Sequence, residues 1–165
     1  MRTWLVPPDV DTDQLAPGHA MKHGGLEVVA KHCLEAVRPD FAREVRKGDV
    51  IVAGANFGIG SSREQAASVL VHLGVAAVIA PSFGGLYFRN AFNVGLLLLT
   101  CPQAGEIGDG VALEFDARAC RIELANGRRL ATEPIPAFLL DRIETGGLLP
   151  ELKKRFSSTR QPENP

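Results

Sequence analysis

Unbroken apolar runs alternate with segments of helical period through the first hundred residues of the chain. Val50-Ile-Val-Ala53, Val75-Ala-Ala-Val-Ile-Ala80 and Gly95-Leu-Leu-Leu-Leu-Thr100 are apolar runs of strand length, as expected of parallel strands covered on both faces. Thr3 to Val6 reads as a further strand, stopped by Pro7-Pro8. Glu64 to Leu73 places Ala66, Ala67, Val69, Leu70 and Leu73 on one helical face and stops at Gly74. Strand, helix and strand make a βαβ unit, whose crossover should be right-handed.

Elsewhere the pattern is less regular. Leu26 to Val37 has a helical period ended by Pro39, and Phe41 to Val45 suggests a short second helix. Leu15 to Gly25 contains Pro17, Gly18, Gly24 and Gly25, which predicts a mobile loop. Leu86 to Asn93 reads as a short helix after the turn Pro81-Ser-Phe-Gly-Gly85. Beyond Pro102 come short strands at Val111 to Phe115, Arg121 to Leu124 and Arg129 to Thr132, the last two joined by Asn126-Gly127, a hairpin signal. Pro136 to Glu144 and Gly147 to Phe156 look helical. The expectation is one α/β domain over residues 1–156, a βαβ core with a mixed sheet and an added β-hairpin region. A polar, disordered tail is expected over 157–165.

Composition narrows the function. A chain of 165 residues can bury a substantial core, and 18 basic against 19 acidic residues, net charge −1, give no field suited to nucleic acid or an anionic membrane. Cys33, Cys101 and Cys120 are far apart with no Cys-x-x-Cys, so neither a disulfide framework nor a self-contained metal site is indicated. With no signal-like or membrane-spanning run, a soluble cytoplasmic protein is expected. Asp9, Asp11 and Asp13 alternate, but the glycine and closing glutamate of a calcium loop are missing, so turn and capping roles fit them better. His19 and His23 would share a face only on a helix, which is not expected there, so no metal role is assigned to them.

The chemistry gathers in Gly54-Ala-Asn-Phe-Gly-Ile-Gly-Ser-Ser-Arg-Glu-Gln65, between strand and helix. Ser61 with Glu64, and Ser62 with Gln65, have capping-box spacing, and helix initiation alone would explain the serines. Gly54, Gly58 and Gly60 let a backbone approach a ligand closely and adopt positive φ, a helix opening at Ser61 would favour an anion, and Arg63 adds a fork for carboxylate or phosphate. A phosphate loop needs a lysine after its last glycine, where Ser61 stands. A dinucleotide fingerprint needs a glycine where Arg63 stands. What remains is a small carboxylate-bearing substrate. No His or Asp base is evident for acyl transfer, but a serine with a stabilised alkoxide can act as a general base.

This stretch resembles the signature of the aconitase superfamily's swivel domain. Asp11-Thr-Asp-Gln-Leu-Ala-Pro-Gly18 and Pro81-Ser-Phe-Gly-Gly-Leu-Tyr-Phe-Arg-Asn-Ala-Phe-Asn-Val-Gly-Leu96 resemble two further blocks, and the likeness runs from about Trp4 to Phe156. The chain's length is similar to that of the separate small subunits in this superfamily. The resemblance implies an aconitase-like swivel fold and a large partner subunit holding a [4Fe-4S] cluster, whose open iron acts as a Lewis acid. It implies no cofactor bound by this chain. It implies Ser61 as the base, with Ser62 and Arg63 holding a carboxylate of a small di- or tricarboxylate substrate. In the block that reads the substrate's γ-substituent, Met21 can face an apolar group and Lys22 a carboxylate, so a substrate with an extra carboxylate stays open, as does a solvated role for Lys22. Arg89 and Asn90 are expected to pack or to make subunit contacts. A non-catalytic carboxylate-binding domain is the alternative of another class. Without its partner, the isolated chain is expected to expose enough surface to form homo-oligomers or aggregates.

Overall fold

The computed structural model describes residues 1–22 and 24–158. Four strands, β1 (Thr3–Val6), β2 (Val50–Ala53), β3 (Ala77–Ala80) and β4 (Leu97–Thr100), form a parallel sheet in that order. The register runs Thr3↔Val50↔Ala77↔Leu97 across the sheet. β2 and β3 are buried at every position, which explains their unbroken apolar sequence: an exposed face would have called for alternation. Helix α5 (Gln65–His72) crosses from β2 to β3, and α6 (Gly85–Val94) from β3 to β4. The parallel βαβ pairing expected from the sequence is therefore present.

A second, antiparallel sheet holds β5 (Leu113–Asp116), β6 (Arg121–Leu124) and β7 (Arg129–Ala131). The Asn126-Gly127 turn closes its hairpin, with Gly127 N donating to Leu124 O and Leu124 N to Arg128 O, both at 2.8 Å. An isolated antiparallel bridge from Arg2 to Ala112 sets this sheet beside the start of β1, so the parallel and antiparallel strands of the fold stand in two adjoining sheets. Helices α7 (Ala137–Glu144) and α8 (Leu148–Ser158) follow. Ser157 and Ser158, the start of the segment expected as a tail, are thus the last two residues of α8, and the rest of that segment, 159–165, lies outside the described residues.

The crossover from β1 to β2 departs most from expectation. Leu15 to Gly25 is not an extended loop: α1 (Thr12–Leu15) and α2 (Gly18–Lys22) occupy most of it. Asp11 starts α1 through a capping box, accepting from Gln14 N at 2.8 Å while Asp11 N donates to Gln14 Oε1 at 2.9 Å. That is the capping role expected for an aspartate of this run. Helix α3 (Leu26–Lys31) stops six residues before Val37, because the buried Leu34 adopts a left-handed φ of 61° and gives its N–H to Gln14 O at 2.8 Å. A tertiary bond there overrides helical period. Helix α4 (Phe41–Glu44) follows, its Phe41 ring edge-on to Trp4 at 5.2 Å.

Asp49, just before β2, ties this crossover to β1. Its Oδ2 accepts from Trp4 Nε1 at 2.9 Å, Arg46 N at 3.0 Å and Arg2 at 3.1 Å, and the guanidiniums of Arg2 and Arg38 lie 4.3 and 4.9 Å from the Trp4 ring. Burial pushes the Asp49 carboxyl up, but the bonds from Trp4, Arg46 and Arg2 outweigh it and hold the group below the usual carboxylate range. A lowered folded-state pKa means that this contribution is present above the unfolded carboxylate range and is lost as pH falls through the folded value. Asp49→Asn is expected to cost about 1–3 kcal/mol at neutral pH and to flatten the acid limb of the stability profile. Denaturant melts taken between about pH 6 and pH 2 check this, and parallel acid limbs in parent and variant would contradict it.

Candidate active site

The turn after β2 lies across the carboxyl ends of β1, β2 and β3, where open parallel sheets place their ligands. Neighbouring backbone holds it from both sides. Asp9 N donates to Ala55 O at 2.8 Å, Gly58 N to Val10 O at 2.7 Å and Thr12 N to Ile59 O at 3.0 Å, while Phe57 N donates to Ser82 O at 3.1 Å and Gly84 N to Phe57 O at 2.9 Å. Asn56, at φ 62°, gives Nδ2 to Asp9 Oδ1 at 2.8 Å and its backbone N–H to Ser82 Oγ at 2.9 Å. The three sequence blocks singled out above therefore meet in one place.

The positive φ expected of glycines in this turn is found at Gly58, at +78°, and at Gly60. A Cβ on Gly58 would lie 2.2 Å from the Tyr87 ring, and one on Gly54 would lie 2.6 Å from Pro8 backbone. Close approach at these two positions is to the protein itself. Gly60 has φ +98° and turns the chain outward into Ser61. Beside it Thr12 Oγ1 is buried with no hydrogen-bond partner among the described residues.

Helix α5 opens at Gln65, not at Ser61, and its cap residue Glu64 makes no side-chain capping bond. The capping boxes anticipated from Ser61 and Ser62 are not formed, because Arg63 N donates back to Ser61 O at 2.8 Å and keeps residues 61–63 in a tight turn. Both serines are exposed, and no other described residue engages either hydroxyl. The backbone N–H groups of Ser61, Ser62 and Glu64 have no acceptor among the described residues. Two hydroxyls and three amide donors at one exposed turn, just before a helix N-terminus, form a setting for an anion.

Arg63 completes it. Its guanidinium pairs with the Asp13 carboxylate and also reaches Ala16 O at 3.4 Å, which fixes the fork beside the two serines. Sequence reasoning missed Asp13 as a site residue, placing it among turn and capping aspartates. Its partner lies 50 residues away, and only the seating of α1 against Ile59 brings the two together. Met21 and Lys22 end α2: Met21 packs partly against the core and Lys22 is exposed. No described contact joins either to the serine turn. The block from Pro81 to Leu96 forms α6 and its approach, with Tyr87 buttressing Gly58, while Arg89 is exposed and Asn90 half-buried.

The cysteines do not gather. Cys33 and Cys101 are fully buried, and burial pushes both thiols up, against the thiolate form that iron-sulfur ligation needs. Cys120 stands apart, partly exposed, in the turn between β5 and β6. The chain's own thiols therefore do not fit a [4Fe-4S] cluster. No helix among the described residues is long and apolar enough to cross a membrane.

Comparison with known proteins places this chain in a family. The aconitase C-terminal domain matches residues 22–104, and the chain belongs to that family. It is 43% identical to 3-isopropylmalate dehydratase small subunit 1 of Methanopyrus kandleri over 156 residues, 93% of this chain and 91% of that one. It is 42% identical to the methanogen homoaconitase small subunit of Methanothermobacter thermautotrophicus, covering 90% of this chain and 86% of that one. The crystal structure of 3-isopropylmalate dehydratase from Methanocaldococcus jannaschii superposes with a TM-score of 0.90 at 38% identity, covering 96% of this chain and 95% of the other.

Proposed function

We propose that the chain is the small subunit of a cytoplasmic hydro-lyase that isomerises 2-isopropylmalate to 3-isopropylmalate in leucine biosynthesis, active only with a large subunit that holds a [4Fe-4S] cluster. The observation that carries this reading is the likeness to 3-isopropylmalate dehydratase small subunits along nearly the whole of both chains. The cluster in the partner supplies a Lewis-acidic iron for the substrate hydroxyl.

This chain supplies the base and the carboxylate site. Ser61 Oγ, as the alkoxide, takes the proton from the carbon beside a carboxylate while the hydroxyl leaves the adjacent carbon. On rehydration with the opposite orientation it returns a proton to the carbon that lost the hydroxyl. Ser62, the free amides of the turn and the donors of Arg63 not held by Asp13 bind a substrate carboxylate and favour the serine's ionised form. Asp13 acts through Arg63 by fixing its fork. Met21 and Lys22 lie on the segment that reads the substrate's γ-substituent.

A second reading, the small subunit of a homoaconitase, is favoured by the relative of that name and by Lys22, which can meet a further carboxylate. Methylmalate and maleate belong to the same chemistry. Assay of the reconstituted pair on a panel of 2-hydroxy diacids and triacids separates them. The expected result is a kcat/KM for 2-isopropylmalate at least about tenfold above that for any other member, since even one methylene in an apolar pocket can discriminate by that much. Preference for the 2-hydroxy triacid that dehydrates to homoaconitate would select the second reading.

A further inference from the structure

His19 was singled out in the sequence through its spacing from His23, which lies outside the described residues. The structure gives His19 other neighbours. Helix α2 carries its imidazole onto the turn after α3, where His32 and Glu35 stand three residues apart. His19 Nε2 lies 3.2 Å from Glu35 Oε1, and His32 Nδ1 lies 2.7 Å from Glu35 Oε2. The two imidazole rings meet edge to face with centroids 5.0 Å apart. One ligand atom from each of the three residues lies within 4.8 Å of the other two.

We propose that His19, His32 and Glu35 form a surface site for a divalent cation of the zinc class, which ties α2 to the turn after α3. Two imidazoles and one carboxylate suit zinc, whereas magnesium and calcium take oxygen shells. Zinc–nitrogen bonds of about 2.0–2.1 Å put tetrahedral ligand atoms about 3.3 Å apart. The present spacings are close enough that rotation of the exposed His19 and Glu35 side chains about the half-buried His32 closes the site. The backbone under two of the ligands is already set: Leu34, between them, is held at φ 61° by its bond to Gln14 O, and Glu35 N donates to His32 O at 3.3 Å. Solvent completes the coordination. Because α2 also carries Met21 and Lys22, a bound ion would restrain the substrate-reading segment; that consequence rests on the function proposed above, whereas metal binding does not.

Zinc titrated into the chelator-treated full-length chain, followed by calorimetry and thermal melting, tests the site without substrate. One zinc per chain is expected, with no binding of magnesium and a higher melting temperature when zinc is present. His19→Ala, His32→Ala and Glu35→Gln should each weaken binding at least about tenfold, since even indirect support of a metal ligand has effects of that size. Cys120→Ser, which removes the partly exposed thiol, should bind as the parent does. Zinc binding that survives the His19→Ala, His32→Ala double variant would overturn the proposal. So would the absence of stoichiometric binding by a parent chain shown by circular dichroism to be folded. Neither outcome depends on the identity of the substrate, so the isopropylmalate reading stands or falls separately.

Discussion

Ser61→Ala is expected to lower the turnover of the reconstituted enzyme by about 10²–10⁴-fold, the usual contribution of a positioned general base. Assembly with the large subunit should be unchanged. The side chain is exposed, caps no helix and engages no described residue, so its removal leaves no cavity and no lost bond. The loss should therefore fall on kcat, with KM nearly unchanged, as for an interaction made only on the way to the transition state. Gel filtration of the mixed subunits and steady-state kinetics check the two halves. Turnover within about threefold of the parent, far less than a lost base should cost, would remove Ser61 from the chemistry.

Gly58→Ala is expected to be the most damaging single methyl in the chain. At φ +78° an L-residue costs about 1–2 kcal/mol, and the added Cβ would sit 2.2 Å from the Tyr87 ring. That ring cannot retreat: Tyr87 is fully buried, lies edge-on to Phe57 at 5.5 Å and donates its hydroxyl to Ala66 O at 3.4 Å. Overpacking of this kind costs a further 1–3 kcal/mol, roughly. A total of about 3 kcal/mol should lower the melting temperature by about 10 °C in a chain of this size. Gly58→Ala combined with Tyr87→Leu should recover part of the loss attributable to the ring, over and above the cost of Tyr87→Leu alone. A melt of Gly58→Ala within about 1 °C of the parent, a shift worth well under 1 kcal/mol, would mean that the turn is not packed as described.

Much of this architecture was legible in the sequence because burial on both faces leaves an unmistakable mark. The apolar runs at β2, β3 and β4 could be placed to within a residue or two, and Asn126-Gly127 marked the hairpin, though its register is that of a three-residue loop, with Leu124 opposite Arg128. What failed to read were features decided at a distance. The four-residue α1 exists because Asp11 is pinned beside Ile59, and Pro17 with Gly18 disguised α2 as loop. Lys31 ends α3 because Leu34 bonds to Gln14, which no periodicity announces. At the candidate site, the motif singles out Ser61, Ser62 and Arg63, whose roles remain those proposed above. It does not single out Asp13, since the value of that residue lies in an ion pair across 50 residues. The capping-box spacing was visible and misleading: the glycine before it turned the serines outward instead, which leaves them available for chemistry rather than for helix initiation.

On the function proposed above, this chain is half of an active site, contributing the base and the carboxylate clamp to an iron centre held by another subunit. That reading is tested most directly by titrating the chain into a fixed amount of its cluster-loaded large subunit, isolated from the same cell, while following formation of 3-isopropylmalate from 2-isopropylmalate. No turnover is expected from either chain alone, and the rate should rise with added small subunit to a plateau. Full turnover by the large subunit alone, or a rate indifferent to this chain, would contradict it.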